Sequence, residues 1–118
     1  MLAEKVDFGK YGKTFQENLV QLIFEDRPFA DQITEVLDVN FLDLEYLRVF
    51  ASKILEYRIR YNKHPSMEAL ISITRTQFDR EDEVIRQQVT DYFARIHAKE
   101  IDEVDYIKET ALEFCRKQ

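Results

Sequence analysis

Leu44-Glu45-Tyr46-Leu47-Arg48-Val49-Phe50-Ala51-Ser52-Lys53-Ile54-Leu55-Glu56-Tyr57-Arg58-Ile59-Arg60-Tyr61 runs without a glycine or a proline. At about 100° per residue, Leu44, Leu47, Phe50, Ala51, Ile54, Leu55, Tyr57 and Tyr61 share one wide arc. Glu45, Lys53, Glu56, Arg60 and Lys63 lie opposite. The spacing predicts a helix over roughly 42–62, and an arc this wide predicts a central helix packed by several neighbours. Arg58 breaks the pattern by projecting into the apolar arc. Its aliphatic stem is expected to pack on the core while its head reaches an acidic partner, with Asp26, Asp31, Glu35 and Asp38 as candidates.

The same pattern extends outward. The whole chain of 118 residues holds two glycines, both near the start, and two prolines, Pro28 and Pro65. So few turn formers predict long helices rather than hairpins. Upstream, Thr14 and Glu17 have the spacing of a capping box ahead of Phe15, Leu19, Leu22 and Ile23. Asp26 is placed to cap a second helix, with Pro28 in its first turn and Phe29, Ile33, Val36 and Leu37 inward. Downstream, His64-Pro65-Ser66 ends the long helix and caps a short one carrying Met67, Leu70 and Ile71. An acidic run from Asp79 to Glu83 opens a fifth, with Val84, Ile85, Val89, Tyr92, Phe93 and Ile96 on one side. Asp102, Glu103 and Asp105 open the sixth. Its seam of Val104, Ile107, Ala111, Phe114 and Cys115 is flanked by Leu112 and Tyr106, and no C-cap signal precedes Gln118. The expected fold is all-α, a compact bundle of about six helices whose last one is truncated at the C-terminus. Residues 1–13 read as a flexible arm and 14–118 as one domain.

Composition narrows the chemistry. A net charge of −6 opposes binding to nucleic acid, whose affinity draws on lysine and arginine at phosphates. One cysteine, Cys115, rules out an internal disulfide and suits a reducing, cytoplasmic setting. Gly9-Lys10-Tyr11-Gly12-Lys13-Thr14 falls short of a phosphate loop, which needs four residues between its glycines. His64, His97 and Cys115 show no zinc spacing. No acid and base are paired as a hydrolase needs. The chain itself is therefore expected to be no enzyme, with no catalytic, cofactor or metal residues, and to bind no ATP. Tyr57 to His64 mixes cations and rings, leaving Arg60 and Lys63 as candidates for weak contact with single-stranded DNA.

Several short patterns, taken in order, resemble the N-terminal domain of DnaB-type replicative DNA helicases, in particular those of tailed phages. They are Phe8-Gly9-x-Tyr11-Gly12 with Phe15-Gln16, Phe29-Ala30-x-Gln32, Phe41 beginning the third helix, and Tyr61-x-x-x-Pro65-Ser66. Asp105-Tyr106-Ile107-x-Glu109-x-x-x-x-Phe114-Cys115-Arg116 completes the set. The resemblance implies a six-helix subdomain followed by a helical hairpin that builds a collar on a hexameric ring. It implies self-association there, docking of primase and of a helicase loader, and a separate motor domain that uses ATP and Mg to unwind DNA. Tyr106, Ile107, Ala111, Leu112 and Phe114 are then the interaction candidates, the sixth helix being the first of the hairpin. Two other readings stand beside it: the helicase-binding domain of a primase, and a stand-alone acidic phage regulator or DNA mimic.

Overall fold

A computed structural model describes residues 6–77, 83–97 and 99–118. Six helices follow one another: α1 (Gly12–Glu25), α2 (Arg27–Ile33), α3 (Glu45–Tyr61), α4 (Met67–Thr76), α5 (Glu83–Ile96) and α6 (Val104–Arg116). Short 3-10 turns at Gly9–Tyr11 and Val39–Phe41 precede α1 and α3. No strand occurs among the described residues, and the bundle is all-α as expected.

The helix surrounded by its neighbours is α1 rather than α3. Phe15, Gln16, Leu19, Val20, Gln21, Leu22, Ile23 and Phe24 are all buried, so its apolar surface wraps most of the way round. It packs against α2, α3 and α6, and α3 in turn packs against α5. On α3 the core stops at Ile54. Tyr46, Leu47, Phe50, Ala51 and Ile54 are buried, Leu55 and Tyr57 are half-buried, and Ile59 and Tyr61 are exposed. The last turns of α3 therefore extend beyond the core, and the wide arc read there overstates its burial.

Several expected boundaries hold because their caps do. The Asp26 carboxylate accepts from the Phe29 N–H and the Ser66 hydroxyl from the Ala69 N–H, each satisfying a donor of the first turn. Asn62 ends α3 in the left-handed region at φ 54°, so that helix stops before His64. Phe41, expected to begin α3, sits instead in the turn before it. Val36 and Leu37 lie beyond the end of α2 and pack half-buried from the following turn. On α5, Val84 faces solvent at 64% exposure, outside the apolar side read for it. The acidic lead-in from Asp79 to Asp82 lies outside the described residues.

Two readings of the N-terminal segment are corrected. Thr14 does not cap α1, which already starts at Gly12, where the φ of 90° suits a residue without Cβ. Nor does the domain begin at residue 14. Phe8 is fully buried, and its N–H donates to the Phe41 carbonyl at 2.7 Å. Its ring lies 4.5 Å from that of Phe114, 5.9 Å from Phe15, 6.2 Å from Tyr11 and 6.3 Å from Phe41. The segment from Phe8 onward thus belongs to the globule, because a ring that can reach four others gains more by burial than by remaining in water.

Candidate functional site

Part-buried polar contacts join the helices to one another. Glu17 is the centre of one junction. Its carboxylate accepts from the Tyr46 hydroxyl of α3 at 2.6 Å and from the Arg95 guanidinium of α5 at 2.5 Å. Its backbone carbonyl accepts from the Tyr92 hydroxyl at 2.5 Å. Burial, followed by the Glu17 charge, pushes both phenols above the usual tyrosine range, so they stay protonated donors. This is a brace across three helices, not the reciprocal cap expected of Glu17. Two buried glutamines act similarly. Gln16 accepts from the Asp43 N–H at 2.7 Å, and the Gln21 amide donates to the Lys99 carbonyl at 2.8 Å.

A second junction joins α2 to the end of α3. The Arg58 guanidinium donates to Asp31 at 2.6 Å and to His64 Nδ1 at 2.8 Å. His64 Nε2 lies 2.6 Å from the Phe24 carbonyl, which can only accept, so Nε2 carries the hydrogen and Nδ1 takes the one from Arg58. Arg58 therefore meets one of its four expected partners, and its side chain is 18% exposed. The guanidinium beside Asp31 holds that carboxyl below the usual range.

The Lys108 ammonium beside Asp26, with the Phe29 N–H, holds the Asp26 carboxyl below the usual range as well. A carboxylate whose native pKa is depressed stabilises the fold in full above its unfolded pKa near 4. That contribution fades as pH falls through the native value. Asp26→Asn, which keeps the cap but loses the charge pair, should therefore cost about 0.5–1 kcal/mol at pH 7 and less at pH 2.5, below the unfolded pKa. Urea titrations at the two pH values measure this. An equal cost at both would mean that the charge contributes nothing.

The residues singled out on α6 divide between inside and outside. Ile107 and Ala111 are buried at 4% and 0% exposure, so they belong to the core and not to a partner surface. Phe114 is half-buried against Phe8, Tyr11 and Phe41. The element covering the flank of the Phe114 seam is thus the chain's own N-terminal segment. Tyr106 is 54% exposed, its ring in a T-shaped contact with that of Phe15 at 6.3 Å, and Leu112 is half-buried beside Glu109, Glu113 and Arg116. Of the five, Tyr106 alone is exposed, and Leu112 lies partly buried at the edge of the core. Cys115 is buried, and burial pushes its thiol up to about 11.

Arg60 and Lys63 do not form one patch. Arg60 lies over the Tyr61 ring at 5.5 Å and lines a small depression with Lys53, Glu56 and Tyr57. Lys63 opens onto a different groove, of about 630 Å³, between α2 and the end of α3. Another groove of about 630 Å³ lies between α4 and α5, over Ile71, Phe93 and Ala94. It was missed in the sequence because its lining comes from two helices that each look ordinary alone. Among the described residues no three His, Cys, Asp or Glu side chains gather as a metal site would require, and no helix is long and apolar enough to cross a membrane.

No family model, no curated protein and no solved structure matches this chain.

Proposed function

We propose that this chain is a protein-interaction and oligomerisation domain of a DnaB-type replicative DNA helicase. In this reading it organises the collar of a hexameric ring and docks primase or the loader. ATP and Mg belong to a motor domain outside these residues, and the whole protein unwinds DNA in the cytoplasm of a bacterial or phage-infected cell. The observation that carries the reading is the two-sided apolar character of α6. Ile107, Ala111 and Cys115 secure its inner face, while Tyr106 and Leu112 place apolar surface on its outer side among Asp105, Glu109 and Glu113. An ordinary surface helix carries polar residues at such positions. The ordered motifs from Phe8 to Arg116 supply the family part of the reading.

Glu17, Arg58, His64, Tyr46 and Tyr92 bind helices to one another through short hydrogen bonds, which supports a structural role for them over a chemical one. Sequencing the gene on both sides of these codons tests the assignment. A second helix followed by a phosphate loop downstream agrees with it. A primase catalytic region upstream would transfer the domain to the primase instead, and a stop with neither would favour the stand-alone regulator.

A further inference from the structure

The groove between α2 and the C-terminal half of α3 has a character opposite to the rest of the molecule. Arg27, Arg58 and Lys63 line it against a single carboxylate, that of Asp31, on a chain of net charge −6. Arg58 is spent on Asp31 and His64, whereas Arg27 and Lys63 are exposed and make no salt bridge among the described residues, Arg27 acting on Asp31 only through its charge at longer range. Between these cations the wall is apolar. Leu37 and Leu55 are half-buried, and Ile59, at 85%, is the most exposed large apolar side chain among the described residues.

We propose that this groove is a docking site for an acidic, amphipathic segment of a partner protein. It rests on the reading of the chain as an interaction domain and adds the partner's chemistry. An apolar anchor of the segment lies against Leu37, Leu55 and Ile59, and carboxylates on either side of it meet Arg27 and Lys63. The Arg58–Asp31–His64 junction forms its floor, tied by directed bonds from the guanidinium to Asp31 and His64 and from His64 to the Phe24 carbonyl. The lining argues for peptide over nucleic acid. Base stacking needs free aromatic faces, but Tyr57 and Tyr61 line the separate depression, and the His64 ring is stacked on Phe24. The overall negative charge also repels an extended polyanion, while a short acidic segment meets only the local cations.

Selection of random twelve-residue peptides on the folded chain tests this without assuming a partner. Enriched peptides should combine Asp or Glu with Leu, Ile or Phe, and should shift the amide resonances of Ile59, Asn62 and Lys63. Their affinity should fall about tenfold or more in Arg27→Glu with Lys63→Glu, and similarly in Ile59→Ser. All three positions are exposed, and unchanged circular dichroism of the variants establishes that the fold is intact. Neutral or basic peptides, or shifts confined to the α4–α5 groove, would overturn the proposal. So would a wild-type dimer that Lys63→Glu abolishes, since the occupant would then be a second copy of the chain. The helicase assignment fails separately, on the reading frame. A gene without a motor leaves peptide binding at this groove intact, and a genuine helicase whose groove selects no acidic peptide refutes this inference alone.

Discussion

Phe8→Ala is expected to destabilise the domain by about 3–5 kcal/mol, the usual cost of removing a phenyl ring from a packed core. Such a loss is a large share of the roughly 5–15 kcal/mol that holds a domain of this size together. The reason lies in the position of the ring. Phe8 has no exposed surface and meets Tyr11, Phe15, Phe41 and Phe114 at centroid distances from 4.5 to 6.3 Å. Those partners come from the segment before α1, from α1 itself, from the turn before α3 and from α6, so one truncation loosens four parts of the fold. Neighbours held by separate helices cannot collapse fully into the space left behind. Urea denaturation followed by circular dichroism measures the loss. A cost below about 1 kcal/mol would mean that the segment merely lies on the surface, and the domain boundary would return to residue 14.

Arg58→Ala should cost about 1–3 kcal/mol. Most of that arises from the groups left behind. Asp31 loses its cation, and His64 Nδ1 loses its donor while Nε2 stays on the Phe24 carbonyl. Arg58→Lys should recover little, because a single ammonium cannot reproduce the two directed bonds of the guanidinium fork. Asp31 is largely exposed, so its share is small, and Arg58→Ala should exceed Asp31→Ala clearly. A loss below about 0.5 kcal/mol for Arg58→Ala would place the residue on an ordinary surface.

These two residues also show what could be read in advance. Arg58 stood out because a cation in an apolar arc needs an explanation, and Asp31 was among the acids near enough to supply one. The helices themselves were legible wherever a capping residue met a periodic apolar run, as at Asp26 and Ser66. Phe8 was not legible, since it lies beside two glycines in a stretch with no period, and its partners are up to a hundred residues distant. The central place of α1 was hidden for a related reason. Gln16 and Gln21 count as polar in any periodic pattern, yet both are buried, Gln16 accepting from the Asp43 N–H and Gln21 Nε2 donating to the Lys99 carbonyl while Gln21 Oε1 has no partner among the described residues. Glu17 had a satisfactory local explanation as a cap partner, and tertiary partners from α3 and α5 took it instead.

The candidate surfaces divide in the same way. Local pattern placed Tyr106 and Leu112 off the seam of α6, and the structure has Tyr106 exposed and Leu112 half-buried. It could not separate Ile107 and Ala111 from them as partner-facing residues, because which side of a helix meets its own domain is decided by the packing of α1 and α2 against it. Arg60 and Lys63, three positions apart, read as one basic patch. They open onto different depressions because the helix ends between them at Asn62.

Sedimentation velocity of the complete gene product, as wild type and as Tyr106→Asp with Leu112→Asp, tests the central claim most directly. Tyr106 is exposed and Leu112 half-buried at the edge of the core, so retained helical circular dichroism is the control that the variant is folded. The wild type is expected to sediment as a hexameric ring, and the variant to fall to smaller species at the same concentration. A wild-type product that remains monomeric at about 100 µM, or a ring that survives both charges unchanged, would contradict the claim that α6 builds the assembly.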